Sequence, residues 1–195
     1  FLNDYIGKAK VTTFKGEKTM PKMILIAHNK HLRETRIGAN LVFYHYIKNN
    51  SAYIYDPPAE NQPRIEEVPD FFRAYLNGKI KDIPFYIDPK DVDLLGVNVG
   101  RVCYQRYTSE AFEKMVAEMK KISEEYNVDV ILWIKHYFIK KRMNITDFQR
   151  EKSTIGNVEK YFDIIYAVDP VKTLKGCVVR TLKNNFGELS EHYID

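Results

Sequence analysis

Residues 23–56, MILIAHNKHLRETRIGANLVFYHYIKNNSAYIYD, carry the pattern that decides the fold. Met23-Ile24-Leu25-Ile26-Ala27 is a short unbroken apolar run, the mark of a strand buried on both faces. A polar loop follows. From Arg36 to Lys48 the period changes: Ile37, Leu41, Tyr44 and Ile47 recur at the spacing of an amphipathic helix. Ala52-Tyr53-Ile54-Tyr55 returns to strand character, and Pro57-Pro58 ends it. Strand, helix and strand in this order form a βαβ unit, which belongs in a parallel sheet covered by helices.

The alternation continues outward. Val68 to Asn77 reads as a helix, with Pro69 in its first turn and Gly78 as its stop. Ile83 to Ile87 reads as a strand closed by Asp88-Pro89. Leu94 to Tyr104 reads as a strand or a hairpin. Ser109 is placed to cap a helix from Glu110 to about Tyr126, whose apolar stripe is Phe112, Met115, Val116, Met119 and Ile122. Val128–Ile134 and Phe162–Val168 read as buried strands. Cys177–Leu182 and His192–Ile194 read as antiparallel edge strands joined around Gly187. The expected class is α/β: a mostly parallel twisted sheet, helices on both faces and a C-terminal antiparallel hairpin. Residues 1–19 read as an N-terminal arm and 20–195 as a single domain. Chemistry in such sheets gathers at the carboxyl ends of strands, so the positions after Ala27, Ile87 and Ile134 are the ones to inspect.

Composition narrows the choice. The 195 residues are 45% hydrophobic, include 14 Tyr and 11 Phe, and carry a net charge of only +4, so a buried core is expected and disorder is not. Cys103 and Cys177 are too few for a disulfide framework or a cysteine zinc site, and read as buried thiols of a reducing compartment, the cytoplasm or a similar one. No apolar run approaches the roughly 18 residues of a membrane span, so no membrane partner is expected. The sequence pI of 8.8 permits contact with nucleic acid without demanding it.

The loop after the first strand has the layout of a phosphate-binding P-loop with its chemistry removed. Such a loop uses glycines so that backbone N–H groups wrap the phosphates, a Lys for the terminal phosphates and a Ser or Thr for magnesium. Laid on that pattern, His28 and Arg33 stand at the glycine positions, Glu34 at the lysine and Thr35 at the hydroxyl. A carboxylate near a phosphate costs ~4 kcal/mol at 4 Å and an effective dielectric of 20. Lys30 and Arg33 are the candidates to replace the lysine, and Asp88 the candidate for the magnesium-side carboxylate.

Further segments extend the pattern. Gly156-Asn157-Val158-Glu159-Lys160-Tyr161-Phe162-Asp163-Ile164-Ile165 and Leu182-Lys183-Asn184-Asn185-Phe186-Gly187 follow a long helix and its strand, Glu110 to Ile134. In this order they resemble the RecA-like ATPase domain of DnaB-type replicative helicases, over roughly residues 20 to 195. The resemblance implies a RecA-like P-loop fold. It also implies a turn, Lys183 to Asn185, facing a neighbouring subunit, though Asn185 stands where the family has its finger arginine and cannot replace it electrostatically. The family's catalytic glutamate falls near Pro58, with Glu60 close by. His136 falls where the family often has a glutamine sensor. With lysine, base and finger all altered, the resemblance implies a frame kept without catalysis and without cofactor, ATP and magnesium being the alternative.

The expected partners follow from surfaces. Lys135, His136, Lys140, Lys141, Arg142 and Arg150 cluster after the strand Val128–Ile134, with Trp133, Tyr137 and Phe138 interleaved, which suits single-stranded DNA. A helicase-like protein or a second copy of the chain are the protein partners that the resemblance implies. The competing readings are a divergent ATPase using Lys30 or Arg33, Thr35, Asp88 and Glu60, and a metal-dependent nuclease on Asp88, Asp91 and Asp93.

Overall fold

A computed structural model describes residues 20–29, 33–48, 51–55, 63–99, 108–136, 157–171 and 176–194. Its elements are β1 (Met23–Asn29), α1 (Arg33–Lys48), β2 (Ala52–Tyr55), α2 (Val68–Leu76), β3 (Leu94–Asn98), α3 (Ser109–Tyr126), β4 (Asp129–His136), β5 (Ile164–Pro170), β6 (Cys177–Asn184) and β7 (Glu191–Ile194). All strands join one seven-stranded sheet in the order β2-β3-β4-β1-β5-β6-β7. The first five in that order are parallel, β6 runs antiparallel to β5, and β7 antiparallel to β6. This is the α/β architecture expected, including the C-terminal hairpin.

β1 sits at the centre because its residues tolerate no water on either side. Met23 to Ala27 are at most 1% exposed. On one face of the sheet, α2 and α3 bury Phe72, Tyr75, Phe112, Met115 and Met119 against the strands. On the other, α1 buries Ala39, Val42, Phe43 and Tyr46. α1 lies close to the sheet at Gly38. A Cβ there would overlap Cys177 Sγ and come within 2.9 Å of Val168 Cγ1, so the missing side chain lets the helix rest on β5 and β6. Beneath the same helix the phenols of Tyr46 and Tyr166 share a hydrogen bond of 2.7 Å. Both hydroxyls are buried, and burial raises both phenols, Tyr46 the more strongly.

Local chemistry sets the ends of the elements. Thr108, not Ser109, caps α3: its Oγ1 accepts from the Ala111 N–H at 3.1 Å. Asn127 ends the helix in the left-handed region at φ 52°, and its N–H donates to Ser123 O. At the amino end of the sheet, Asp163 is a junction. Its Oδ2 accepts from the Met23 N–H at 2.9 Å, its own N–H donates to Met23 O at 2.8 Å, and its carbonyl accepts from the Asn185 N–H at 2.9 Å.

Several expected elements are corrected. Ile83–Ile87 is a turn and loop, not a strand: Pro84 cannot donate to a ladder, and Phe85 takes a left-handed φ of 55° and is 93% exposed. The strand of this region is β3, and it ends at Asn98. β4 runs on past Ile134 to His136, and β5 starts at Ile164 and runs on to Pro170. The N-terminal arm, residues 1–19, lies outside the described residues.

Candidate functional site

The carboxyl ends of β1, β3 and β4 and the first turn of α1 meet at one pole of the sheet. Parallel strands followed by helices direct their last residues there, which makes it the natural place for a ligand. His28 closes the buried part of β1 and is only 3% exposed. Its ring lies 5.8 Å from that of Trp133 on β4. Trp133 in turn packs at 5.1 Å against Phe43 of α1. These rings fill the wedge between sheet and helix. The Trp133 Nε1–H is buried without a hydrogen-bond acceptor among the described residues. Asn98, the last residue of β3, aligns with Trp133 in the ladder.

The connection from β1 to α1 is short. His28 pairs with Lys135 of β4 and with Val168 of β5, and Asn29 pairs with His136. Arg33 already opens the helix. Only Lys30, His31 and Leu32 remain between Asn29 and Arg33. A phosphate cradle is built from consecutive N–H groups free of sheet and helix. Here the residue at the first glycine position is committed to the sheet, while the one at the second opens the helix, whose first N–H groups have no partner within it. Thr35, the hydroxyl candidate, is fully buried, while Arg33 is exposed. Glu34 lies between them in the first turn of α1.

Asp88 does not join this group. It precedes the amino end of β3, where Asp93 N–H donates to Ser51 O and Asp129 N–H to Asp93 O, marking the starts of β2, β3 and β4. Tyr75, next to the last residue of α2, donates to Ile87 O at 2.5 Å at this same end. Asp88 itself caps a short 3-10 helix, Pro89–Asp91, accepting from the Lys90 N–H at 3.0 Å. Its position follows from the loss of the expected strand at Ile83–Ile87. The residue that ends the strand between β2 and β4 is Asn98, an amide. The buried run Leu94–Val97 was the sequence signal for it.

The turn from Lys183 to Asn185 also lies at the amino end. Lys183 Nζ donates to Glu159 O at 3.0 Å, and Asn185 Nδ2 to Asp163 Oδ1 at 3.1 Å. The two motifs read separately in the sequence are therefore bonded to one another. Lys135 is half-buried in β4, and the backbone of His136 ends that strand. Lys30, Glu60, Lys140, Lys141, Arg142 and Arg150 lie outside the described residues.

One charged group was missed in the sequence reading. Asp169, near the carboxyl end of β5, is 7% exposed, and its Oδ1 has no hydrogen-bond partner among the described residues. Its Oδ2 is 3.5 Å from Arg180 Nη1, but Arg180 makes its closer contact, 2.7 Å, with Glu191. Burial pushes the Asp169 carboxyl up to about 6, with the nearby guanidinium opposing.

Among the described residues no group of three His, Cys, Asp or Glu side chains converges to hold a metal ion. None of their helices is long and apolar enough to cross a membrane.

Among solved structures, a KaiC-like protein from the hyperthermophilic archaeon Pyrococcus horikoshii is similar over 89% of this chain and 85% of its own, with a TM-score of 0.50 and 12% identity. The fold is RecA-like. At 12% identity the match speaks for the fold alone. RecA-like folds are widely shared, and 313 solved chains match this one, so what the protein does must be argued from its own residues. No protein-family model matches the chain, and no curated protein is similar to it.

Proposed function

We propose that the chain is a non-catalytic RecA-like protein of DnaB-like kind, serving a DNA transaction such as replication or recombination by binding single-stranded DNA or a helicase-like partner. The observation that carries this reading is the connection between β1 and α1. Three residues, Lys30 to Leu32, separate a strand paired on both sides from a helix already begun at Arg33. That commits His28, at the first glycine position, to the sheet, and the N–H groups left free at the start of the helix come with a glutamate, Glu34, in the lysine position, which opposes a phosphate. The amide of Asn98 where a metal-binding carboxylate would be useful, and Asn185 in place of an arginine, agree with it. Lys135 at the carboxyl end of β4, followed in sequence by Lys140, Lys141, Arg142 and Arg150, supports the nucleic-acid side of the reading.

The test is a titration with a fluorescent ATP analogue and magnesium, followed by a hydrolysis assay with and without single-stranded DNA. The expected result is no saturable binding and no turnover. Tight binding with turnover overturns the non-catalytic reading and favours a divergent ATPase using Arg33 or Lys30. A second arm measures binding of a labelled oligonucleotide to the charge-reversed variant K140E/K141E/R142E. Binding is expected to weaken strongly, with the salt slope falling by about 2 for three lost phosphate contacts. Unchanged binding removes the DNA surface.

A further inference from the structure

The outward side of α1 touches nothing described so far. Among the described residues α1 is the one helix packed on its face of the sheet, so its far side is open. At about 100° per residue, Arg33, Arg36, Ile37, Leu41, Tyr44 and Lys48 fall on that side. Ile37 is 48% and Tyr44 59% exposed, and two helical turns, ~10.5 Å, separate them. Leu41 lies between them, half-buried.

Among the described side chains of this side the charge has a single sign. Arg33, Arg36 and Lys48 are exposed and enter none of the ion pairs among the described residues. From Thr35 to Lys48 the sequence contains no acidic residue. Arg33 and Arg36 also stand at the positive end of the helix dipole, where a cation is disfavoured and an anion favoured. The fold gains nothing from two arginines there. Exposed branched and aromatic side chains between unpaired cations are not explained by the core either.

We infer that this side of α1 is a docking surface for an acidic amphipathic helix of a partner protein. The partner's apolar residues seat on Ile37, Leu41 and Tyr44 at i, i+4 and i+7, and its carboxylates face Arg36 and Lys48. Charge complementarity selects an acidic partner. The aliphatic side chains at the centre select a protein over a nucleic acid, because Ile37 and Leu41 offer no flat face on which a base can stack.

The inference is independent of the nucleotide and DNA readings, and its test leaves Arg33 untouched. A display library of random 18-residue peptides is selected on the immobilised protein. Enriched peptides are then measured by fluorescence anisotropy against wild type, I37D/Y44D and R36E/K48E, with circular dichroism to verify that each variant folds. The expected peptides carry apolar residues at helical spacing flanked by Asp or Glu. Each variant is expected to bind them at least tenfold more weakly, and R36E/K48E to prefer the same peptide with Lys in place of Glu. No acidic enrichment, or binding that ignores both variants, overturns the inference. So does a single-stranded oligonucleotide whose binding, rather than that of a peptide, is lost in I37D/Y44D.

Discussion

Replacing Asp169 by Asn is expected to stabilise the protein at neutral pH. The carboxyl is 7% exposed, and among the described residues its Oδ1 is unpartnered and its cation is Arg180, 3.5 Å away and bonded more closely to Glu191. Its titration therefore moves from the ordinary 3.8 to about 6. At 1.36 kcal/mol per pH unit, holding the ionised form in the fold costs about 3 kcal/mol. The sign follows from the direction. The folded protein binds this proton more tightly than the unfolded chain, so the contribution is fully present below about pH 4. It declines as the pH rises from about 4 to about 6 and stays lost above. Asn mimics the protonated acid but brings N–H groups that themselves want acceptors, a penalty of about 1 kcal/mol or more. A net gain of about 1–2 kcal/mol at pH 7.5 is expected, turning into a loss of about 1 kcal/mol near pH 4, where the wild-type carboxyl is protonated and only the amide penalty remains. Urea unfolding of wild type and D169N at the two pH values reads it directly. A variant less stable than wild type at pH 7.5 refutes the reasoning, since it means that the ionised carboxylate is compensated in the fold.

Three further outcomes test the packing. Gly38→Ala would gain about 1 kcal/mol of helix propensity in isolation, yet its Cβ meets Cys177 Sγ and Val168 Cγ1. A net loss of about 1–2 kcal/mol is expected, and an unchanged melting temperature contradicts the close approach of α1 to the sheet. Tyr46→Phe takes away the Tyr166 hydroxyl's 2.7 Å partner and is expected to cost about 1–3 kcal/mol. The double variant Y46F/Y166F should cost no more than Tyr46→Phe alone, and a double-mutant cycle that proves additive speaks against the pair. Thr108→Ala removes the cap of α3 and should lower stability by about 1 kcal/mol, whereas Ser109→Ala should not, a contrast that denaturant midpoints resolve.

Much of the fold was legible in the sequence because burial on two faces leaves a plain trace. The runs MILIA and VDVILWI admit no polar residue near their centres, and both became central strands. α3 declared itself by its stripe. Ile83–Ile87 misled because its residue types favour strands, and what decides a strand is a partner on each side. Pro84 and the left-handed Phe85 allow none. The candidate site was half legible. His28 and Thr35 were recognised by their place after the first strand, but Asp88 was sent to the wrong pole by the misplaced strand. Asn98 was missed with it, and Asp169 because nothing in a local window reveals that an acid near the end of a strand will be deprived of water. The joining of Asn185 to Asp163 was equally hidden, since only the antiparallel return of β6 brings them together.

The placement of β1 between β4 and β5 has a bearing on how the chain comes to be folded at all. Met23 finds its neighbours at Val130 and, through the Asp163 carboxylate, 140 residues further along. A ribosome adding about 5–20 residues per second therefore exposes MILIA for several seconds or more before either neighbour has been made. Contacts so distant in sequence close slowly. During that interval the most apolar strand of the protein is a sticky, edge-on template. The nascent chain is thus expected to lean on chaperones, and a variant that stalls synthesis before β4 is expected to accumulate in aggregates.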